Sequence, residues 1–174
     1  KEKDDYAALD RIRKIIENIN FIDPLIFKNN NDIKEPHYDK KDLLKIVDPT
    51  LNQMYDMREV IARIVDESHF DEYKKDYGQT LICGHAKMGG YNIGIIANQR
   101  IVIKGKEGQI QLGGVVYNDS SDKAARFVMN CNQDKVPILF LHDVNGFMVG
   151  KHSEWSGIAK DGAKLVNAVS NCTV

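Results

Sequence analysis

One stretch, Val136 to Val169 (VPILFLHDVNGFMVGKHSEWSGIAKDGAKLVNAV), constrains the fold more than any other part of this sequence. A short apolar run, Ile138 to Leu141, breaks into a polar loop that contains Asn145-Gly146 and Gly150. Bounded runs of this length predict a strand buried on both faces. The glycines allow sharp turns and close approach of backbone to a ligand. Ile158, Gly162, Leu165, Val166 and Val169 then recur on one helical face. Strand, glycine loop and helix in this order predict an α/β fold with backbone amides presented to a ligand.

The surrounding sequence extends that pattern. Asp4 to Ile19 predicts a helix whose apolar face carries Ala8, Leu9, Ile12, Ile15, Ile16 and Ile19. Phe21 to His37 loses periodicity around Pro24, Asn29-Asn30-Asn31 and Glu35-Pro36, as a linker or crossing segment does. Lys40 to Val47 predicts a short helix that stops before Pro49. Asp56 and Glu59 have capping-box spacing ahead of an apolar stripe of Met57, Val60, Ile61, Ile64 and Val65. Thr80–Lys87 and Tyr91–Ala97 predict a hairpin that turns at Gly89-Gly90. Ile101 to Ile103 extends it or adds a strand. Asp119 and Ser120 can cap a helix reaching Gln133, with Ala124, Phe127, Val128 and Cys131 inward. The charged run Asp66–Tyr77 reads as a solvated connection anchored by its aromatics.

Charge and composition exclude several classes. A net charge of −1 on 174 residues provides no general attraction to nucleic acid or an anionic membrane. No apolar run approaches the roughly 20 residues that cross a bilayer. The three cysteines, Cys83, Cys131 and Cys172, lack CxxC spacing, so a reducing compartment is expected, the cytoplasm or an organelle matrix. The start KEKDDYAALD has no apolar signal core, so secretion is not expected, and no initiator Met, so a processed or excised piece is expected.

Side-chain chemistry is sparse. The five histidines show no metal-ligand spacing, and no metal site is expected. His142 and Asp143 follow the apolar strand, but neighbours on an extended chain point apart and cannot form a dyad with each other. KGKEGQIQLGG (residues 104–114) lacks the G-K-[ST] ending of a phosphate loop. Cys131 belongs to an apolar face and is expected to be inert. What remains is backbone: amides of the Val144–Gly150 loop and of the following helix start can stabilise a developing oxyanion. No side chain is expected to be catalytic.

Several strings in order resemble the carboxyltransferase β subunits of biotin-dependent acyl-CoA carboxylases, the propionyl-, methylcrotonyl- and acetyl-CoA carboxylase family. They are YDMREVIARIVD (55–66), GIIANQ (94–99), KAARF (123–127), NGFMVG (145–150) and GIAKDGAK (157–164). The resemblance implies a partial crotonase-like domain of ββα units, preceded by a helix and an extended linker. Residues 1–20 would close a preceding acyl-CoA domain, residues 21–55 would link, and 56–174 would form the first half of a C-terminal carboxyltransferase domain. It implies that a carboxyl group passes from carboxybiotin to an acyl-CoA, with biotin borne on a separate carrier domain. It implies biotin carboxyl carrier and biotin carboxylase subunits as partners, and a homo-oligomer. Gly146, Phe147 and Met148 would form the biotin-facing wall, with Gly157 and Ile158 close by; the bland alternative makes Phe147 and Met148 packing residues. Family members often carry Pro or Thr where Asn145 stands, which leaves the acyl group open. A biotin-dependent decarboxylase subunit, a non-catalytic assembly module and a free-standing hydratase are the alternatives. The isolated chain is expected to lack carboxyltransferase activity and to expose apolar surface.

Overall fold

The computed structural model describes residues 2–17, 33–47, 50, 53–104 and 108–174. Ile19, the prolines at 24 and 49, the Asn29–Asn31 run and part of the 104–114 loop lie outside them.

Helix α1 (Asp5–Glu17) forms where its period predicts, but its apolar face is not covered by the rest of the described chain. Leu9, Ile12, Ile15 and Ile16 are each close to half exposed, as expected of an apolar surface left open. The helix is tied down by polar contacts, an ion pair from Arg11 to Asp71 and a bond from Asn92 Nδ2 to the Glu17 carbonyl. Helix α2 (Leu43–Ile46) follows a 3₁₀ turn at Lys40–Asp42. Helix α3 (Met57–Ile61) opens on Asp56, whose carboxylate accepts from the Arg58 amide at 3.0 Å. The capping box does not close, because Glu59 pairs instead with Arg63, 2.8 Å away.

The Asp66–Tyr77 run is a correction. It contains strand β1 (Phe70–Tyr73), which pairs antiparallel with β2 (Leu81–Met88) and forms an edge of the main sheet. Its charges are absorbed at long range, Glu72 accepting from Arg58 Nη2 and Nε at 2.7 and 2.8 Å. Buried Asp66 receives the amides of Gly89 and Gly90 at 2.9 and 2.7 Å, fixing the tip of the next hairpin. Strand β3 (Tyr91–Asn98) pairs antiparallel with β2 from Met88↔Tyr91 to Leu81↔Asn98. Gly89 and Gly90 take φ of 60° and 82°, the left-handed pair that a two-residue hairpin turn requires.

Beyond β3 the expected strand at Ile101–Ile103 shrinks to β4 (Ile103–Lys104), paired with β5 (Ile110–Gln111) in a separate ribbon. Strand β6 (Val115–Val116) leads into α4 (Asn118–Gln133), where Ser120 Oγ accepts from the Tyr117 amide at 2.9 Å. Strand β7 (Ile138–Leu141) lies parallel to β3, giving the order β1-β2-β3-β7. It occupies the other edge, so its residues are half-buried rather than buried on both faces. Strand β8 (Gly146–Phe147) pairs parallel with β6. A short helix, α5 (Lys151–Trp155), then precedes α6 (Ile158–Ser170).

Period-two alternation splits the core across the sheet. Leu81, Cys83 and Ile96 face α4, packing on Ala124, Phe127, Val128 and Cys131. Ile82, Ala86, Ile93, Ile95 and Ala97 face α3, packing on Met57, Ile61 and Val65. Gly94 brings α4 close: an added Cβ would stand 2.7 Å from Cys131 Sγ and 3.2 Å from the Phe127 ring. On α6, Ile158, Gly162 and Ala168 are buried, whereas Val166 and Val169 of the expected face are exposed.

Lys123 is fully buried among these residues, and its Nζ makes no hydrogen bond among the described residues. Burial holds the amine below the ordinary lysine value of 10.5, against the opposing pull of Cys83 and Glu72. The native chain therefore binds this proton less readily than the unfolded one, and the site's contribution to stability rises with pH toward 10.5. Lys123→Met keeps the shape and removes the desolvation cost. It is expected to be neutral or stabilising by about 1–3 kcal/mol at pH 7 in urea denaturation, and to flatten that pH dependence. A loss of stability would contradict this account.

Candidate functional site

The parallel pair β3 and β7 has its C-terminal ends on the same side, the position where open α/β sheets gather ligand-binding loops. Three pieces meet there: the exit of β3 at Gln99-Arg100, the exit of β7 at His142-Asp143, and Tyr55 ahead of α3.

Gln99 is fully buried and knits the region together. Its Oε1 accepts from the amides of Met57 (3.0 Å) and Arg100 (2.9 Å), and its Nε2 donates to Asp56 at 2.7 Å. Its own amide donates to the Thr80 carbonyl at 3.0 Å, and its carbonyl accepts from Gly114 at 2.7 Å. Burial works against ionisation of Asp56, but the bonds from Gln99 and Arg58 outweigh it and hold the carboxyl below its ordinary range.

Asp143 Oδ2 lies 3.0 Å from Arg100 Nε and accepts from the Tyr55 hydroxyl at 3.0 Å. His142 points the other way, its ring edge-on to Phe140 at 5.1 Å, as strand alternation requires. Burial, and then the bond to Asp143, raise the Tyr55 phenol from 10.0 to about 12. A raised folded value means stability that is fully present below pH 10 and lost as pH climbs through about 12. Urea midpoints of wild type and Tyr55→Phe are therefore expected to converge over that window; a constant gap would contradict the bond.

Of the wall expected at Gly146, Phe147 and Met148, the first two form β8 and Met148 follows it. The Asn145 amide donates to the Gly114 carbonyl at 2.7 Å, and the Met148 amide to Val116 at 2.8 Å. Those two amides are engaged by the neighbouring strand and cannot hold an oxyanion, which corrects part of the expectation for this loop. Phe147 is 43% exposed, and one edge of its ring rests on α6: a Cβ added at Gly162 would stand 3.1 Å from it. Gly157 caps α6 in the left-handed region, with φ 91°. The first turn-closing bond of α6 runs from Asp161 to the Gly157 carbonyl, 3.0 Å, so the amides of Ile158, Ala159 and Lys160 have no partner within the helix. Ile158 is buried, so its side chain belongs to the packing of α6. Asn118 steadies this start, donating to the Ser156 carbonyl at 3.1 Å and to Asp161 at 3.2 Å.

The structure thus brings Phe147 and the first turns of α6 together, and leaves one side of the ring open. An aromatic face beside a helix start whose first amides are unpaired within the helix suits a planar ureido ring. The sequence reading missed Gln99, Arg100 and Tyr55, whose partners are far away in the chain. The only local signal was Gly113-Gly114: a side chain at Gly113 would run into the Arg100 backbone, and Gly114 takes φ 74°. Cys83 and Cys131 are buried with thiols pushed up to about 12 by desolvation, so neither is a nucleophile. Among the described residues no group of three His, Cys, Asp or Glu side chains could hold a metal, and no helix is long and apolar enough to cross a membrane.

Residues 1–174 match the family described as Carboxyl transferase domain. The chain is 40% identical to a probable mitochondrial methylcrotonoyl-CoA carboxylase β chain of Drosophila melanogaster, over 98% of this chain and 30% of that protein. It is 41% identical to a probable biotin-dependent acyl-coenzyme A carboxylase β2 subunit of Mycobacterium tuberculosis, over 98% of this chain and 30% of that protein. Among solved structures it resembles the transcarboxylase 12S hexamer with methylmalonyl-coenzyme A bound, with a TM-score of 0.80 and 32% identity over 98% of this chain and 32% of that one. The chain therefore spans about three-tenths of the length of these relatives. Its sheet and helices have the crotonase-like arrangement of such domains. The chain belongs to the carboxyl transferase domain family.

Proposed function

We propose that this chain forms one wall of the biotin pocket in an acyl-CoA carboxyltransferase, with Gly146, Phe147 and Met148 facing the ureido ring and the Gly157-Ile158 helix start beside them. The observation that carries the reading is the half-open Phe147 ring seated on Gly162 next to the first turn of α6. Residues 56–174 would then be the first half of the biotin-side domain, residues 1–20 the end of an acyl-CoA domain, and 21–55 the link between them.

Biotin, when bound on its carrier domain, supplies a labile carboxyl group and a nitrogen that can take up a proton. The protein's part is to hold the ring flat against Phe147, to shield it from water, and to direct the α6 amides at a developing negative charge. No side-chain base is needed, and Gly146, Phe147 and Met148 themselves carry no ionisable group. The acceptor is an acyl-CoA, and the partners are the biotin carboxyl carrier and biotin carboxylase subunits and further copies of the same subunit. The open apolar stripe of α1 supports a packing role within such an assembly. Similarity to carboxylases supports carboxylation over decarboxylation as the biological direction. Three free cysteines, two of them buried, support a reducing compartment, either cytoplasm or organelle matrix.

The test uses the intact protein that contains this chain. Free biotin should stimulate release of the carboxyl group from the carboxylated form of acetyl-, propionyl- or methylcrotonyl-CoA. No biotin-dependent release from any of the three by folded protein would sink the reading.

A further inference from the structure

The polar cluster at the ends of β3 and β7 has no part in the chemistry above, yet it holds the loop that carries the wall. Asp143 lies two residues before Asn145, and its Oδ2 is shared by Arg100 Nε and the Tyr55 hydroxyl, each at 3.0 Å. Both members of the ion pair are mostly shielded, with side-chain exposures of 16% for Arg100 and 28% for Asp143. A pair so placed is screened less than a surface pair. On its other side Arg100 lies against Gly113, where a Cβ would run into the Arg100 backbone, and its guanidinium reaches Gly114, whose φ of 74° disfavours a side chain. Gly114 in turn accepts the Asn145 amide at 2.7 Å and donates to the Gln99 carbonyl at 2.7 Å.

Two routes therefore run from Arg100 to the wall, one through Asp143 and one through Gly114, and both arrive at Asn145. The wall needs such restraint. Gly146 and Gly150 have φ of 147° and 108°, and glycine on both sides of Phe147 leaves the loop little stiffness of its own. The Tyr55 hydroxyl adds a third anchor, from the segment that enters α3.

We propose that Tyr55, Arg100 and Asp143 are positioning residues that set the seat of the Gly146–Met148 wall, and through it the affinity for biotin. The affinity part rests on the reading of that wall as the biotin side; the positioning part does not.

The test uses the intact protein that contains this chain, labelled at its methionine methyls, with free D-biotin as probe. Met148 reports on the wall, while Met88 on the hairpin and Met129 on α4 serve as internal controls. Without ligand, Arg100→Lys and Asp143→Asn should move the Met148 methyl resonance and leave Met88 and Met129 in place. Tyr55→Phe, which keeps the ion pair, should move it less. Arg100→Lys and Asp143→Asn should each weaken biotin binding about fivefold or more, and the double variant should be no weaker than the worse single, as coupled partners require. Melting curves exclude a general loss of fold, and Tyr55→Phe provides the mild variant if the charged ones unfold. An unmoved Met148 methyl in folded, unliganded variants would overturn the proposal whatever biotin does. Additive losses of affinity would overturn the coupling. An intact wild-type protein silent to biotin, with Met148 still moved by the substitutions, would sustain the positioning role and sink the biotin reading alone.

Discussion

Phe127→Ala is expected to cost about 3–5 kcal/mol in urea denaturation, the range for truncating a fully buried aromatic side chain. Phe127 has no exposed surface, and its ring lies 5.4 Å from Tyr73 and 5.0 Å from His85, measured between centroids. It also presses on the sheet where Gly94 leaves no Cβ in its way. Truncation would open a cavity between α4 and β1, β2 and β3 at once, and rigid strands cannot collapse to fill it. Domains are stable by only about 5–15 kcal/mol, so the variant should be marginal or partly unfolded at room temperature. A loss below about 1.5 kcal/mol would mean that α4 is not packed on the sheet as described.

Phe147→Ala should behave in the opposite way. The ring is 43% exposed and touches the body of the domain along the edge that meets Gly162. Its removal should cost stability only modestly, about 1 kcal/mol or less, because little apolar area returns to water. Its effect should appear in ligand binding: affinity for free biotin should fall about tenfold or more, corresponding to roughly 1.4 kcal/mol from a lost aromatic face. Gly162→Ala provides the complementary case, since the new methyl would press the ring from beneath at 3.1 Å and shift it by a few tenths of an ångström. Unaltered biotin affinity in Phe147→Ala, or a large loss of stability with it, would identify Phe147 as a packing residue.

These two phenylalanines show how much was legible in the sequence. Phe127 lies in a clean helical period with Ala124, Val128 and Cys131, and all four are buried. The Gly89-Gly90 hairpin was equally plain, because two left-handed residues in succession are a local requirement. Strand β1 was hidden. Its sequence, FDEY, places two charges within four residues, and edge strands accept charge where buried strands do not. The partners that make those charges tolerable, Arg58 and Arg11, come from other elements. Strand β8 has two residues, too few for any period to show. The wall residues could be named only through resemblance to a family. The cluster of Tyr55, Arg100 and Asp143 had no local signature beyond Gly113-Gly114, since each finds its partner through the fold.

The central claim is that the surface of Phe147 and the start of α6 face biotin. It is tested most directly by photocrosslinking the intact protein with a biotin that carries a diazirine on its valeryl chain, and mapping the attachment by mass spectrometry. The account predicts labelling within residues 146–162, suppressed by excess free biotin and lost in Phe147→Ala. Competable labelling confined to other surfaces, such as the α3 side of the sheet, would contradict it.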